Sequence, residues 1–173
     1  MQIQTTTNTI EAYTDGSSLA CSDWRRSGGS WGEFGFVGGW ASVININNDI
    51  IELSGYSMDT TNNRMELMGA IKTLEYFKEP TKLVIFTDSI YVKNGITIWI
   101  KNWKLNAFRT ANRKEVLNKD LWMELDRLNQ IHDVEYRWVK GHNGDPMNER
   151  ADKLAGAQTT IAKEIFDKTQ NLS

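Results

Sequence analysis

Four carboxylates stand in four separately patterned segments of the chain. They are Asp15 in Tyr-Thr-Asp-Gly, Glu66 in Asn-Asn-Arg-Met-Glu-Leu, Asp88 in Phe-Thr-Asp-Ser and Asp152 in Glu-Arg-Ala-Asp. His142, in the loop-like run Gly-His-Asn-Gly, precedes the last of them by ten residues. Three of the four acids lie at the end of an apolar strand-like run or at the start of a helix-like one, and in a mixed α/β fold such ends converge on one site. Converging carboxylates repel each other and need cations to stay together. Two Mg²⁺ ions held ~4 Å apart by such acids activate a water and stabilise the leaving oxygen of an in-line displacement on a phosphate ester. A histidine in a Gly-flanked loop is placed to move protons or assist product release.

Taken singly, most of these residues read differently. Glu66 reads as a capping residue, Asp15-Gly16 as a turn, Asp152 as a surface helix charge and His142 as a loop residue. Asp88 is harder to dismiss, because an acid directly after a buried strand is costly without a partner. His132 has no motif around it and reads as structural. The metal reading therefore rests on the set.

The elements that must position the set follow from periodicity. Ile10 to Thr14 reads as a strand ending at Asp15-Gly16, followed by an irregular loop over about 17–35. Phe36 to Asn47 and Ile50 to Tyr56 read as a hairpin. Asn63 is the expected helix N-cap, with Glu66 at capping-box spacing, and Leu67, Ala70, Ile71, Leu74 and Phe77 keep a helical period up to Pro80. Leu83 to Phe86 reads as a strand buried on both faces. Short helices are expected over Ile90 to Trp103, a helix over about Asp120 to Gln130, and a strand over Val134 to Val139. Asp145-Pro146 opens the last helix, and the polar tail past about Phe166 is expected to fray. The order predicts an α/β fold: a mixed five-stranded sheet, three antiparallel strands then two parallel, flanked by helices.

With 173 residues, 40% hydrophobic and 24% charged, the chain reads as a single domain over 10–166 between short tails, 1–9 and 167–173. The lone Cys21 excludes an internal disulfide framework and fits a reducing compartment. The chain has neither a membrane-length apolar run nor a basic-then-apolar leader, so the expectation is a cytoplasmic protein with no membrane partner. Net charge is −2, but the stretch 99–119 holds six basic residues against one acid and carries +5, leaving −7 for the remainder. Such asymmetry fits a local polyanion-binding protrusion.

The motifs resemble type 1 ribonuclease H, the bacterial-style enzyme. The resemblance is carried by Tyr-Thr-Asp-Gly-Ser at 13–17, Thr-Thr-Asn-Asn-Arg-Met-Glu-Leu at 60–67 and Thr-Asp-Ser at 87–89. It continues through Asn-Trp-Lys at 102–104, Asp-Leu-Trp at 120–122, Trp-Val-Lys-Gly-His at 138–142 and Asn-Glu-Arg-Ala-Asp at 148–152. It spans nearly everything from Ile10 to Gly156, and it implies the ribonuclease H-like fold. It also implies a metal-dependent endonuclease that hydrolyses the RNA strand of RNA–DNA hybrids, leaving 5′-phosphate and 3′-hydroxyl ends. On this resemblance Asp15, Glu66, Asp88 and Asp152 are the metal-binding acids and His142 is the mobile-loop histidine. Two Mg²⁺ ions are expected per site with substrate, Mn²⁺ being able to substitute. Asn62 and Asn63 match residues that touch the hybrid minor groove, and Thr61 and Asn118 match residues that hold a phosphate of the DNA strand. Trp99, Trp103 and Lys104 belong to the substrate-contacting protrusion. Trp122 reads as core, Trp99 is balanced between core and contact, and the family implies a monomer. The alternative from another class is a non-catalytic hybrid-binding module, against which the retained acids argue.

Four features depart from the family pattern. The gap after Asp15 is longer by roughly a dozen residues and carries Trp24, Arg25, Arg26 and Trp31, for which hybrid contact is one expectation and a self-packed Ω-like loop the other. Ile90 replaces a frequent glutamine. Asp59 stands where a basic residue often supports the phosphate pocket, so weaker phosphate binding is expected. Leu105, Asn106 and Phe108 make the protrusion less charged than in strongly basic relatives.

Overall fold

The computed structural model describes residues 9–21 and 34–171. Trp24, Arg25, Arg26 and Trp31 lie outside the described residues, as does most of the tail 1–9. Five strands form one mixed sheet: β1 (Ile10–Ala20), β2 (Phe36–Ile46), β3 (Asp49–Ser57), β4 (Lys82–Thr87) and β5 (Asp133–Trp138). Their spatial order is β3-β2-β1-β4-β5, antiparallel across β1, β2 and β3 and parallel across β1, β4 and β5. This is the expected mixed sheet.

The helices are α1 (Asn62–Tyr76), α2 (Ile90–Asn94), α3 (Ile100–Leu105), α4 (Lys119–Ile131) and α5 (Pro146–Gln170), with a π-helical turn over Gly95–Trp99 joining α2 to α3. On one face of the sheet α1 and α4 cover Ala12, Ile44, Leu83, Ile85 and Tyr136. Leu67 and Leu74 of α1 are fully buried there, and each such side chain contributes about 1.5–3 kcal/mol. Trp122 is wholly buried in the same core, as expected. The π turn is where Gly95 lies flat against the Trp122 ring: a Cβ there would sit 1.9 Å from Cη2. On the other face α5 packs against β1, β2 and β3. His132 is structural, as its sequence context suggested: the buried ring accepts from Thr81 N–H at Nδ1 and bonds the Leu74 carbonyl through Nε2, both at 3.1 Å.

Several boundaries differ from the sequence expectation. Strand β1 does not turn at Asp15-Gly16. It continues to Ala20, because Gly16 to Ala20 pair antiparallel with Trp40 back to Phe36. The helix cap is Thr61, not Asn63: Thr61 is extended at φ −133° and ψ 166°, and its hydroxyl accepts from Arg64 N–H. Glu66 is therefore two residues past the capping-box position, which leaves its carboxylate free for another use. Helix α1 ends at Tyr76, four residues before Pro80. Helix α5 runs to Gln170 rather than fraying after Phe166. Phe166 is held in a small cluster with Cys21, Val37 and Ala162, and Lys163 pairs with Asp167 one turn on.

Candidate active site

The parallel pairing of β1 with β4 stops at Thr14↔Thr87, while β1 and β2 continue. Asp15 and Asp88 are thus the first residues past the last β1–β4 pair, side by side at the open end of the sheet. Glu66 comes to them from α1, because that helix touches β1 without a side chain between. A Cβ on Gly16 would lie 2.4 Å from the backbone N of Glu66 and 2.5 Å from the carbonyl carbon of Met65. Gly16→Ala should therefore push α1 off β1. We expect a loss of roughly 2 kcal/mol or more of stability, read by thermal melting, together with loss of metal binding. Unchanged metal affinity in that variant would refute the need for this close approach.

Ligand oxygens of Asp15, Glu66 and Asp88 all lie within 4.8 Å of one another. Asp15 and Glu66 are only 3% and 5% exposed. Burial and repulsion from Asp88 push the Asp15 carboxyl up to about 8, with the Asp152 carboxyl adding to the rise. Burial, then the charges of Asp15 and Asp88, hold Glu66 well above the ordinary carboxylate range. Burial likewise raises Asp88, with Asp152 adding repulsion and His142 pulling the other way. Glu66 Oε2 is buried without a hydrogen-bond partner, and Asp15 accepts one bond, from Gly16 N–H at 2.9 Å. Two buried carboxylates and a half-buried third, with a spare, unpartnered oxygen, fit a hard divalent cation. Asp152 falls outside the tight three-residue cluster but close enough to act on both Asp15 and Asp88.

His142 follows Gly141 in a loop, with φ 56°. A Cβ on Gly141 would lie 2.9 Å from Asp88 Oδ2, so the loop passes directly over that acid. Trp138 secures the same corner by donating its indole N–H to the Asp88 carbonyl at 3.0 Å.

The expected substrate contacts are spread over the start of α1, the π turn, α3 and the start of α4. Asn62 and Asn63 are exposed on the first turn of α1. Thr61 is occupied as the cap. Asn118, buried and left-handed at φ 61°, donates to Tyr91 Oη at 3.1 Å and accepts from Arg64 Nη1 at 3.3 Å. Trp103 is partly buried between Trp99 and Trp122, with centroids 6.0 and 5.2 Å away. Trp99 remains 37% exposed. Lys104 pairs with Asp126 at 3.3 Å. Ile90 is exposed at the start of α2 and offers no polar group. Sequence reasoning missed Arg64, Tyr91 and Phe34. Tyr91 Oη accepts from both Asn118 and Trp122, a link no local pattern announces. Arg64 stood in a matched motif and could have been found there.

A carboxylate cluster at the carboxyl end of adjacent parallel strands defines a metal-binding centre suited to phosphoryl chemistry. The family model described as RNase H matches residues 7–160, and the chain belongs to that family. Curated relatives named ribonuclease H agree over nearly full length. That of Francisella philomiragia is 50% identical over 155 residues, spanning 90% of this chain and 93% of the relative. That of Francisella tularensis subsp. novicida is 48% identical over the same shares. Among solved structures, LC9-RNase H1, described as a type 1 RNase H with the type 2 active-site motif, superposes with a TM-score of 0.75 and 28% identity. That match covers 90% of this chain and 74% of the other. The foamy viral protease-reverse transcriptase solved with an RNA/DNA hybrid shares the fold, with a TM-score of 0.72 and 18% identity over 88% of this chain and 20% of that one. Family membership carries metal dependence with it. No helix among the described residues is long and apolar enough to cross a membrane.

Proposed function

We propose that the protein is an endoribonuclease that hydrolyses the RNA strand of RNA–DNA hybrids, leaving 5′-phosphate and 3′-hydroxyl ends. The observation that carries this reading is the largely buried Asp15–Glu66–Asp88 cluster with its unpartnered Glu66 oxygen, set in a chain of the RNase H family. The foamy viral relative solved with a hybrid supports the substrate class.

Asp15, Glu66, Asp88 and Asp152 would hold Mg²⁺, which when bound would supply Lewis-acid stabilisation and activate a water. The protein does the rest by placement. Burial of Asp15 and Glu66 keeps bulk water from competing for their oxygens. The His142 imidazole, in the Gly141–Gly144 loop that runs over Asp88, passes a proton released by the attacking water to the departing 3′-oxygen. Asn62 and Asn63 present amide donors and acceptors to the wide minor groove, where a hybrid displays its 2′-hydroxyls. The basic protrusion over 99–119, with Trp99, Trp103 and Lys104, supplies salt-dependent backbone affinity. Thr61 and Asn118 lie beside the DNA strand. The working unit is a monomeric cytoplasmic domain over 10–166, and Mn²⁺ can replace Mg²⁺.

The deciding experiment is cleavage of a labelled hybrid with Mg²⁺ and with EDTA, beside duplex DNA of the same sequence. Cutting of the RNA strand alone, abolished by EDTA, is expected. Binding without cutting would establish the hybrid-binding module instead. Equal cutting of duplex DNA would remove the hybrid specificity.

A further inference from the structure

The long connection after β1 returns to described structure at Phe34, and Asp59 fixes that return. One carboxylate oxygen of Asp59 accepts from Phe34 N–H at 2.9 Å and from Gly35 N–H at 3.4 Å. The Arg64 guanidinium lies 5.3 Å from the centre of the Phe34 ring. Two departures from the family pattern are therefore one feature: the acid in a basic residue's place anchors the stem of the enlarged loop. The ring so held forms one wall of an open groove of about 570 Å³, whose opposite side is Leu117, Asn118, Lys119 and Met123 at the start of α4. That volume lies within the range of about 300–1,000 Å³ typical of small-molecule sites.

The chemistry of the groove selects its occupant. Arg64 is clamped in two hydrogen bonds to Asp120, and Lys119 pairs with Glu115 at 3.4 Å. Each cation thus has its own acid, and the groove has little net pull on a phosphate. Its apolar surface is the Phe34 ring, Leu117, which is 70% exposed, and Met123, with the Asn118 amide already bonded to Tyr91 and Arg64. Arg64, in the groove wall, directly follows the exposed Asn62 and Asn63 on the helix that carries Glu66.

We propose that Phe34 is a substrate-positioning residue, its ring and the Leu117–Met123 wall packing on a deoxyribose of the hybrid's DNA strand. A deoxyribose offers an apolar C2′ face to such a wall, whereas a ribose would bury an unpartnered hydroxyl. The selection is for the uncut strand and complements the reading of 2′-hydroxyls on the cut one. This inference rests on the hybrid being the substrate.

The test is steady-state cleavage of a set of hybrids, each carrying one ribonucleotide at a different position of the DNA strand. Wild type, Phe34→Ala, Asp59→Ala and Asp59→Asn are compared, with a thermal melt of each. On the all-DNA strand Phe34→Ala should raise KM roughly fivefold to tenfold, the scale of losing one stacking contact. Its kcat should stay within about twofold and its melting temperature near that of wild type. Asp59→Ala should follow it, and Asp59→Asn, whose amide oxygen still accepts from both N–H groups, should stay near wild type. One ribonucleotide position should raise the wild-type KM and leave that of Phe34→Ala unmoved. An unchanged KM in Phe34→Ala, a ribonucleotide penalty equal in both proteins, or a fall of kcat and melting temperature together would overturn the proposal. Wild type that cuts no hybrid at all would overturn the proposed function instead.

Discussion

Asp88→Asn should abolish cleavage while leaving hybrid binding nearly intact. Asp88 is the acid at the carboxyl end of β4 and shares the 4.8 Å cluster with Asp15 and Glu66. The amide keeps the size of the side chain and one oxygen, so the local packing under Gly141 survives. It removes the charge that a hard cation requires. Metal-supplied charge stabilisation is worth several kcal/mol, and each 1.36 kcal/mol is tenfold in rate, so a loss of about 10³-fold or more in kcat is expected. On the proposed function, binding rests on Asn62, Asn63 and the basic protrusion rather than on Asp88, so the dissociation constant in EDTA should change less than about threefold. Gel-shift titration beside single-turnover cleavage measures both. A variant that keeps a tenth of wild-type kcat would remove Asp88 from the metal site, and one that loses binding in proportion would make it a substrate contact.

The sequence exposed Asp15 and Asp88 through their positions after apolar runs, and it exposed the sheet through the alternation of its strands. What it could not expose depends on partners distant in the chain. Asp15-Gly16 reads locally as a turn, and only pairing with Trp40 and Ala41 keeps β1 extended through it. The run Thr60-Thr61-Asn62-Asn63 offers four cap-competent side chains in a row. Backbone geometry at Thr61 selects among them, and that choice moves Glu66 from a capping role into the carboxylate cluster. Asp59 looked like a defect in a phosphate pocket until its bonds to Phe34 and Gly35, some 25 residues away, gave it an anchoring role. Asn118 was legible as a motif residue, but its bond to Tyr91, which also receives the Trp122 indole N–H, was not. Local chemistry thus pointed to the acids that cluster, and long-range contacts determined how each is held.

Asp15→Asn should make the metal-free protein more stable as it makes the enzyme inactive. In the fold, burial and the charge of Asp88 push the Asp15 carboxyl up to about 8, whereas in the unfolded chain it titrates near 3.9. Below about pH 4 both states hold the proton and the group is neutral in its effect. As pH rises from about 4 to about 8, the unfolded chain gives up its proton while the folded one retains it. Over that window the folded state binds more protons and stability falls. Above about pH 8 the full penalty of an ionised, crowded carboxylate is present. Glu66, also raised by burial and by Asp15, adds to the same slope. An asparagine at position 15 removes its share and can still accept the Gly16 N–H bond. At about pH 8 the metal-free variant should melt upward of 5 °C above wild type, at roughly 2–4 °C per kcal/mol for a chain of this size. The gap should close toward about pH 4. Millimolar Mg²⁺ should reverse the order, because ions bind the deprotonated carboxylates of wild type and release their protons. Scanning calorimetry across pH, with and without Mg²⁺, reads all three effects. Metal-free wild type that melts at or above the variant near pH 8 would show that the cluster is not under electrostatic strain, and the case for a cation as its missing partner would fall with it.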